Sequence, residues 1–339
     1  MSLEQAEGWT RRHFLGELTL AGTAGLLGLY ARPVAAEPPP ETTTLKIFSG
    51  PAACLAPQLM AEELLRAEGF TDLRYVSPPP GPFTQAVASG AIDLSMLDAP
   101  AEVLSLDRGE ALVIMAGVHV GCFELFAADH IRSLRDLKGR RVAITEVASG
   151  RHAFVASMAV LVGLDPRQDL HFVEQPALEG MRLFAEGQVD AFIGFPPEPQ
   201  ELRAKQVGHV LVNTATDRPW SQYFCCMLAG NRAFVRAHPV ATKRAVRAIL
   251  KAADVCAREP DRVARFLVDK GYADSYVYTR QTMHELPYDQ WREYNPEDTL
   301  RFFALRLQEA GMIKSTPQKL IAQGTDWRFL HELKRELKG

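Results

Sequence analysis

Cysteine is scarce in this chain, with Cys54, Cys122, Cys225, Cys226 and Cys256 the only five in 339 residues. They are too few and too scattered for a disulfide scaffold, and an odd count leaves at least one thiol over. No Cys/His spacing matches a zinc site, so the thiols read as small buried apolar side chains and no metal or cofactor is expected. Long hydrophobic runs are missing too: no stretch reaches the ~18 apolar residues of a spanning helix. Charge of one sign is not in excess, since 38 Lys and Arg face 41 Asp and Glu for a net charge of −3. That balance gives no electrostatic case for a nucleic-acid partner. No nucleophile, base and orienting partner stand out as a set, so an enzyme is not expected. What is present is a chain 47% hydrophobic and 23% charged, the balance of a globular protein of about two domains.

The strongest positive signal is an internal duplication. Leu45-Lys46-Ile47-Phe48 returns as Val142-Ala143-Ile144-Thr145, and Leu73-Arg74-Tyr75-Val76 as Leu170-His171-Phe172-Val173. Ser89-Gly90-Ala91-Ile92-Asp93 likewise returns as Glu186-Gly187-Gln188-Val189-Asp190, and all three matches share an offset of 97 from Leu45 to Val142, Leu73 to Leu170 and Asp93 to Asp190. Each copy runs from a β-branched stretch through a helical pattern to a second β-branched stretch, which predicts parallel strands joined by crossover helices. Two similar α/β lobes follow, whose loops at the carboxyl ends of the strands face one cleft.

The first 36 residues read as an export signal. Thr10-Arg11-Arg12-His13-Phe14-Leu15 is similar to a twin-arginine motif, Leu18 to Tyr30 is a glycine-diluted apolar stretch, and Val34-Ala35-Ala36 offers a cleavage site. A proline-rich spacer, 37–44, leads to lobe one at 45–122. Lobe two covers 123–222, and 223–339 supplies a return strand and C-terminal helices packing on lobe one. The mature protein is expected to be a periplasmic monomer.

Candidate site residues fall on the loops that follow strands. Ser49, Gly50 and Ala53 lie in the first strand-to-helix loop, where backbone N–H groups can receive a ligand oxygen. Asp98 either accepts a hydrogen bond from a ligand or caps the helix beginning near Pro100. His119 falls in the connection Gly117–Cys122, where a histidine either faces the cleft or serves structure. Glu146, Ser149, Gly150 and Arg151 form a more polar loop in the second copy, suited to an anion through N–H donors, the helix dipole and a full charge. Equally, Ser149 caps the helix and Arg151 is solvated. Phe195 stands 97 residues after Asp98, so the two rims should oppose each other, with Glu198 a second acid at the same edge. Tyr223, beside Trp220 and Phe224, either stacks on a flat ring or packs a hinge.

Together with the twin-arginine motif and the two lobes, Ser133–Gly139 (SLRDLKG), Gly187–Ala191 (GQVDA) and Asn231–Pro239 (NRAFVRAHP) resemble the nitrate/sulfonate/taurine-type substrate-binding proteins of ABC importers. That superfamily includes binders of thiamine pyrimidine precursors. The resemblance implies a type II periplasmic-binding fold, two similar α/β lobes with a two-strand hinge and C-terminal helices, which traps a small-molecule solute and then docks on a membrane permease. It implies a small organic anion or zwitterion, sulfonate- or taurine-like, as solute, with a heteroaromatic pyrimidine as the alternative. A receptor reporting to a membrane sensor kinase would share this architecture. A pyrimidine synthase of similar fold carries a CCCFC run, which is absent here, where Ser221–Met227 reads SQYFCCM.

Overall fold

A computed structural model describes residues 37–50, 52–77 and 82–337. The export-signal segment and the prolines and glycine at 78–81 lie outside them. Among the described residues no helix is long and apolar enough to cross a membrane.

The first sheet opens with β1 (Thr44–Phe48), whose apolar side chains are buried on the core side. A short turn of helix at Ala53–Leu55 leads to α1 (Ala56–Met60) and α2 (Glu62–Ala67). Ala61 separates the two helices. Then come β2 (Asp72–Val76), α3 (Phe83–Ala88), β3 (Leu94–Asp98), α4 (Ala99–Asp107) and β4 (Leu112–Val120). The second sheet uses β5 (Glu124–Ala127), β6 (Arg140–Ile144), α5 (Gly150–Leu161), β7 (Leu170–Glu174), α6 (Ala177–Ala185), β8 (Ala191–Gly194), α7 (Glu198–Ala204) and β9 (His209–Asn213). The chain then returns to the first sheet with β10 (Phe224–Asn231).

The strand orders, β2-β1-β3-β10-β4 and β7-β6-β8-β5-β9, are the same pattern twice. In each sheet three parallel strands carry the crossover helices, and one antiparallel strand delivered from the other lobe sits next to the edge. The duplicated aspartates do the same work in both. Asp93 accepts from the Lys46 N–H at 2.8 Å, and Asp190 accepts from the Arg141 N–H at 2.8 Å. This pairing equates Lys46 with Arg141, two residues short of the 97 offset that holds for the other two matches. A slip of two leaves every side chain on its original face of the strand, so alternation alone cannot detect it.

The chain crosses between sheets at 121–123 and at 214–223. A Cβ on Gly121 would overlap Ala215, so the two crossings lie against each other. Gly121 and Cys122 both hold positive φ, of 68° and 146°, which for cysteine is a costly conformation. The Thr214 hydroxyl ties the crossings together, accepting from Phe123 N–H at 3.0 Å while donating to Phe123 carbonyl oxygen at 2.8 Å.

After β10 come α8 (Arg232–Ala237), the amphipathic α9 (Pro239–Arg258), α10 (Pro260–Asp269), α11 (Tyr276–Glu285), α12 (Pro296–Glu309), α13 (Pro317–Gly324) and α14 (Arg328–Glu336). They do more than cover lobe one. Helix α12 packs on α4 of the first lobe and on α5 of the second, and α11 reaches α7 of the second. Phe303 of α12 meets Phe154 of α5 with ring centroids 5.3 Å apart.

Candidate functional site

The carboxyl ends of β1, β3 and β8 and the loop after β6 open onto a cavity of about 440 Å³. This is within the usual size range for a small-molecule site. Its walls are mainly apolar. Phe48 and Phe83 lean together on the lobe-one side with centroids 4.7 Å apart, and Phe123 and Phe195 do so on the other at 5.2 Å. Leu55, Met96 and Leu97 complete the apolar lining.

Asp98 is the main polar group of the floor. It ends β3 and caps α4, accepting from Ala101 N–H at 3.0 Å. Both sequence readings of this residue are therefore compatible, because a cap uses one carboxylate oxygen and leaves the other. Burial pushes its carboxyl up to about 7 against the pull of that N–H, with the Cys226 sulfur pushing the same way and Arg151 opposing. Across the cleft stands the N-terminus of α5. A Cβ on Gly150 would overlap the Asp98 carboxylate, so Asp98 packs against the first residue of that helix. Ser149 caps α5 through His152 N–H at 3.2 Å, and its hydroxyl donates to the Glu146 carbonyl at 2.7 Å. Ala148, in the left-handed region at φ 62°, donates its N–H to His152 Nδ1 at 2.9 Å. Burial lowers that histidine below its ordinary value, and its Nδ1 is kept free of a proton as an acceptor.

Arg151 reaches the cavity wall, but its charge is already engaged. Its guanidinium forks onto Glu198, Nη1 to Oε2 at 2.7 Å and Nη2 to Oε1 at 2.9 Å, while Nη1 also donates to Ile193 carbonyl at 2.5 Å. Glu198 also accepts from Phe195 N–H at 2.9 Å. The pair fixes the Phe195 loop to α5 and leaves little unspent charge for a ligand.

Of the sequence candidates, Asp98, Glu146, Ser149, Gly150, Arg151 and Phe195 line one cavity. The structure puts Ser49, Gly50, Ala53, His119, Glu198 and Tyr223 elsewhere. Gly50 lies against the Phe48 ring, which comes within 2.6 Å of where a Cβ would sit. Ala53 is buried in the turn before α1. Glu198 lies behind Phe195, on Arg151. Tyr223 stacks on Phe302 with centroids 4.1 Å apart at 14°, as hinge packing. His119 is wholly buried because Gly117–Val120 is no loop but the end of β4, which runs unbroken to Val120. Gly117 permits that continuation, since a Cβ there would overlap the Phe224 ring of β10.

The aromatic walls were the part of the site that sequence reasoning underweighted. Phe83 and Phe123 carry no motif, and only their placement on strand and helix ends marks them. Cys54 and Cys226 also reach the cavity floor.

Fold and cavity together define the class: a two-lobed α/β protein of the periplasmic-binding type, with a cavity in the cleft between its lobes. The chain belongs to the NMT1/THI5-like family, whose model matches residues 66–263, more than half of its length. No curated protein matches it in sequence. It is similar in structure to the periplasmic nitrate-binding protein NrtA from Synechocystis PCC 6803, with a TM-score of 0.74 at 14% identity over 89% of this chain and 90% of that one. The alkanesulfonate-binding protein SsuA from Xanthomonas axonopodis pv. citri, solved with MOPS, gives 0.66 at 19% identity over 86% of this chain and 100% of that one. A desulfurization enzyme, DSZB, gives 0.57 at 18% identity over 86% and 99%, so the same fold also serves an enzyme.

Proposed function

We propose that the protein is the periplasmic solute-binding component of an ABC importer, exported by the twin-arginine route, and that it holds its solute without altering it. Its solute is a flat, largely apolar heterocycle with an N–H donor, of the aminopyrimidine kind. The observation that carries this reading is the seat in front of α5. A small anion would take that helix end and the Arg151 fork, and in this chain the Asp98 carboxyl crowds the first while Glu198 neutralises the second. The aromatic pairs give a ring two faces to lie between, and the free Asp98 oxygen and exposed Glu146 give its donors acceptors.

The second reading is an alkanesulfonate. It is favoured by NrtA and SsuA, whose names record anions, and by the N-terminus of the twelve-residue α5. Calorimetry of the purified chain against an aminopyrimidine, an alkanesulfonate and nitrate separates the two. The aminopyrimidine is expected to bind, and Asp98→Asn to weaken it by at least ~10-fold, about 1.4 kcal/mol. Tight alkanesulfonate binding that survives Asp98→Asn overturns the heterocycle in favour of the anion.

A further inference from the structure

Three cysteines far apart in sequence meet at the back of the cavity. The sulfur atoms of Cys54, before α1, Cys122, in the first crossing, and Cys226, on β10, lie within 4.8 Å of one another, and all five cysteines of the chain are free thiols. Sulfurs on one tetrahedral ion at about 2.3 Å stand about 3.8 Å apart, so the cluster needs to close by about 1 Å at most. His119 is the cross-strand partner of Cys226. It is wholly buried, and its Nε2 has no hydrogen-bond partner among the described residues. Its Nδ1 lies 3.1 Å from the Val120 carbonyl oxygen. A ring that donates from Nδ1 to a backbone carbonyl presents Nε2 as a lone pair, which is how a metal-ligating histidine is normally oriented.

We infer that Cys54, Cys122 and Cys226 form a site for one thiophilic closed-shell metal ion, Zn(II) or Cu(I), at the floor of the solute cavity, and that His119, whose ring nitrogens lie outside the 4.8 Å sulfur group, turns in as the fourth donor when the ion binds. Thiolates and imidazole are the donors these ions prefer, and a buried sulfur trio is a poor site for Mg(II) or Ca(II).

The test uses the full chain, reduced and stripped of metal under anaerobic conditions, with no solute present. Titration with Co(II) as a probe for Zn(II) should give a thiolate charge-transfer band saturating at one ion per chain. Zn K-edge absorption on the Zn(II) form should then show sulfur near about 2.3 Å and nitrogen near about 2.0 Å. A chelator-competed titration with Cu(I) covers the other ion. Cys226→Ser should lose the band, while Cys256→Ala, in α9, should keep it. The absorption measurement on the unmutated chain guards against a variant that fails to fold. No uptake of either ion by the reduced protein overturns the site, as does a shell of oxygen and nitrogen alone, or uptake unchanged in the Cys54→Ser, Cys122→Ser, Cys226→Ser triple variant.

Discussion

Glu102, on α4, is wholly buried, and neither carboxylate oxygen has a hydrogen-bond partner among the described residues. Burial holds its carboxyl well above the usual value of about 4.5, with Asp98 and then Cys226 adding to the effect, so folding favours its protonated form. A carboxyl raised on folding binds its proton more tightly in the native state. Its contribution is therefore most favourable below pH ~4.5 and is lost as pH climbs from there toward the folded-state value. Replacing it with the similarly sized methionine removes the unpartnered oxygens, worth about 1–3 kcal/mol, and also the proton linkage. Glu102→Met should melt higher than the parent, with the gap widening as pH rises from 4 to 8. A gap that stays constant would mean the carboxyl is already solvated or ionised. Arg151 and Glu198 make the opposite case, a buried charge pair that is satisfied. Glu198→Ala leaves the guanidinium with the Ile193 carbonyl and orphans the Phe195 N–H, and a chemical denaturation series should show a loss of about 1–3 kcal/mol.

At the scale of elements, the critical contact is the approach of the β3–α4 junction to the first turn of α5. Gly150 stands where any side chain would meet the Asp98 carboxylate from the facing lobe. Gly150 is the first residue of α5, where alanine's advantage as a helix former is small, and its methyl would overlap an Asp98 oxygen, so Gly150→Ala should leave the melting temperature unchanged or lower it. The added methyl also keeps the lobes apart, and solute affinity should fall by at least ~10-fold; scattering with solute present should report a larger radius of gyration than the parent's. Unchanged affinity would show that closure does not need this approach. Both ends of the contact were visible in the sequence, because Asp98-Ala99-Pro100 and Ser149-Gly150 are capping patterns at helix starts. What was not visible is that they touch. The duplication shows equivalent positions in two lobes, whereas distance across a cleft depends on the hinge, whose residues follow no repeat. The thiol trio escaped for a similar reason: Cys54, Cys122 and Cys226 lie on three segments, and spacing rules register only ligands that lie near each other in sequence. His119 was misplaced because Gly117 looks like a turn residue, while in the fold it makes room for Phe224.

The molecule as a whole is less divided than its two sheets suggest. Most buried apolar residues of both lobes belong to one continuous cluster, and the separate one is a small group on the outer side of the second sheet, including Phe126, Phe184 and Phe192. The continuity runs behind the cleft through Phe123, Phe154 and Phe303, with ring centroids 4.4 Å and 5.3 Å apart along the chain of contacts. A second tie is polar: Arg203 of α7 donates to Glu124 of β5 at 2.6 Å and to Glu285 of α11 at 2.6 Å, so a C-terminal helix is bound to the second lobe. Two lobes joined only by crossing strands would unfold separately, but lobes that share a core lose it together. Scanning calorimetry of the unmutated chain should accordingly give one transition. Phe303→Ala removes the ring that both lobes pack against, at a cost of about 3–5 kcal/mol. Because its loss weakens the join more than either sheet, the variant should split into two transitions, the first reporting the second lobe by loss of protection in β6–β8 amides. Two resolved transitions in the parent, or a single one merely shifted downward in Phe303→Ala, would place the coupling in the crossing strands and not in the helices behind them.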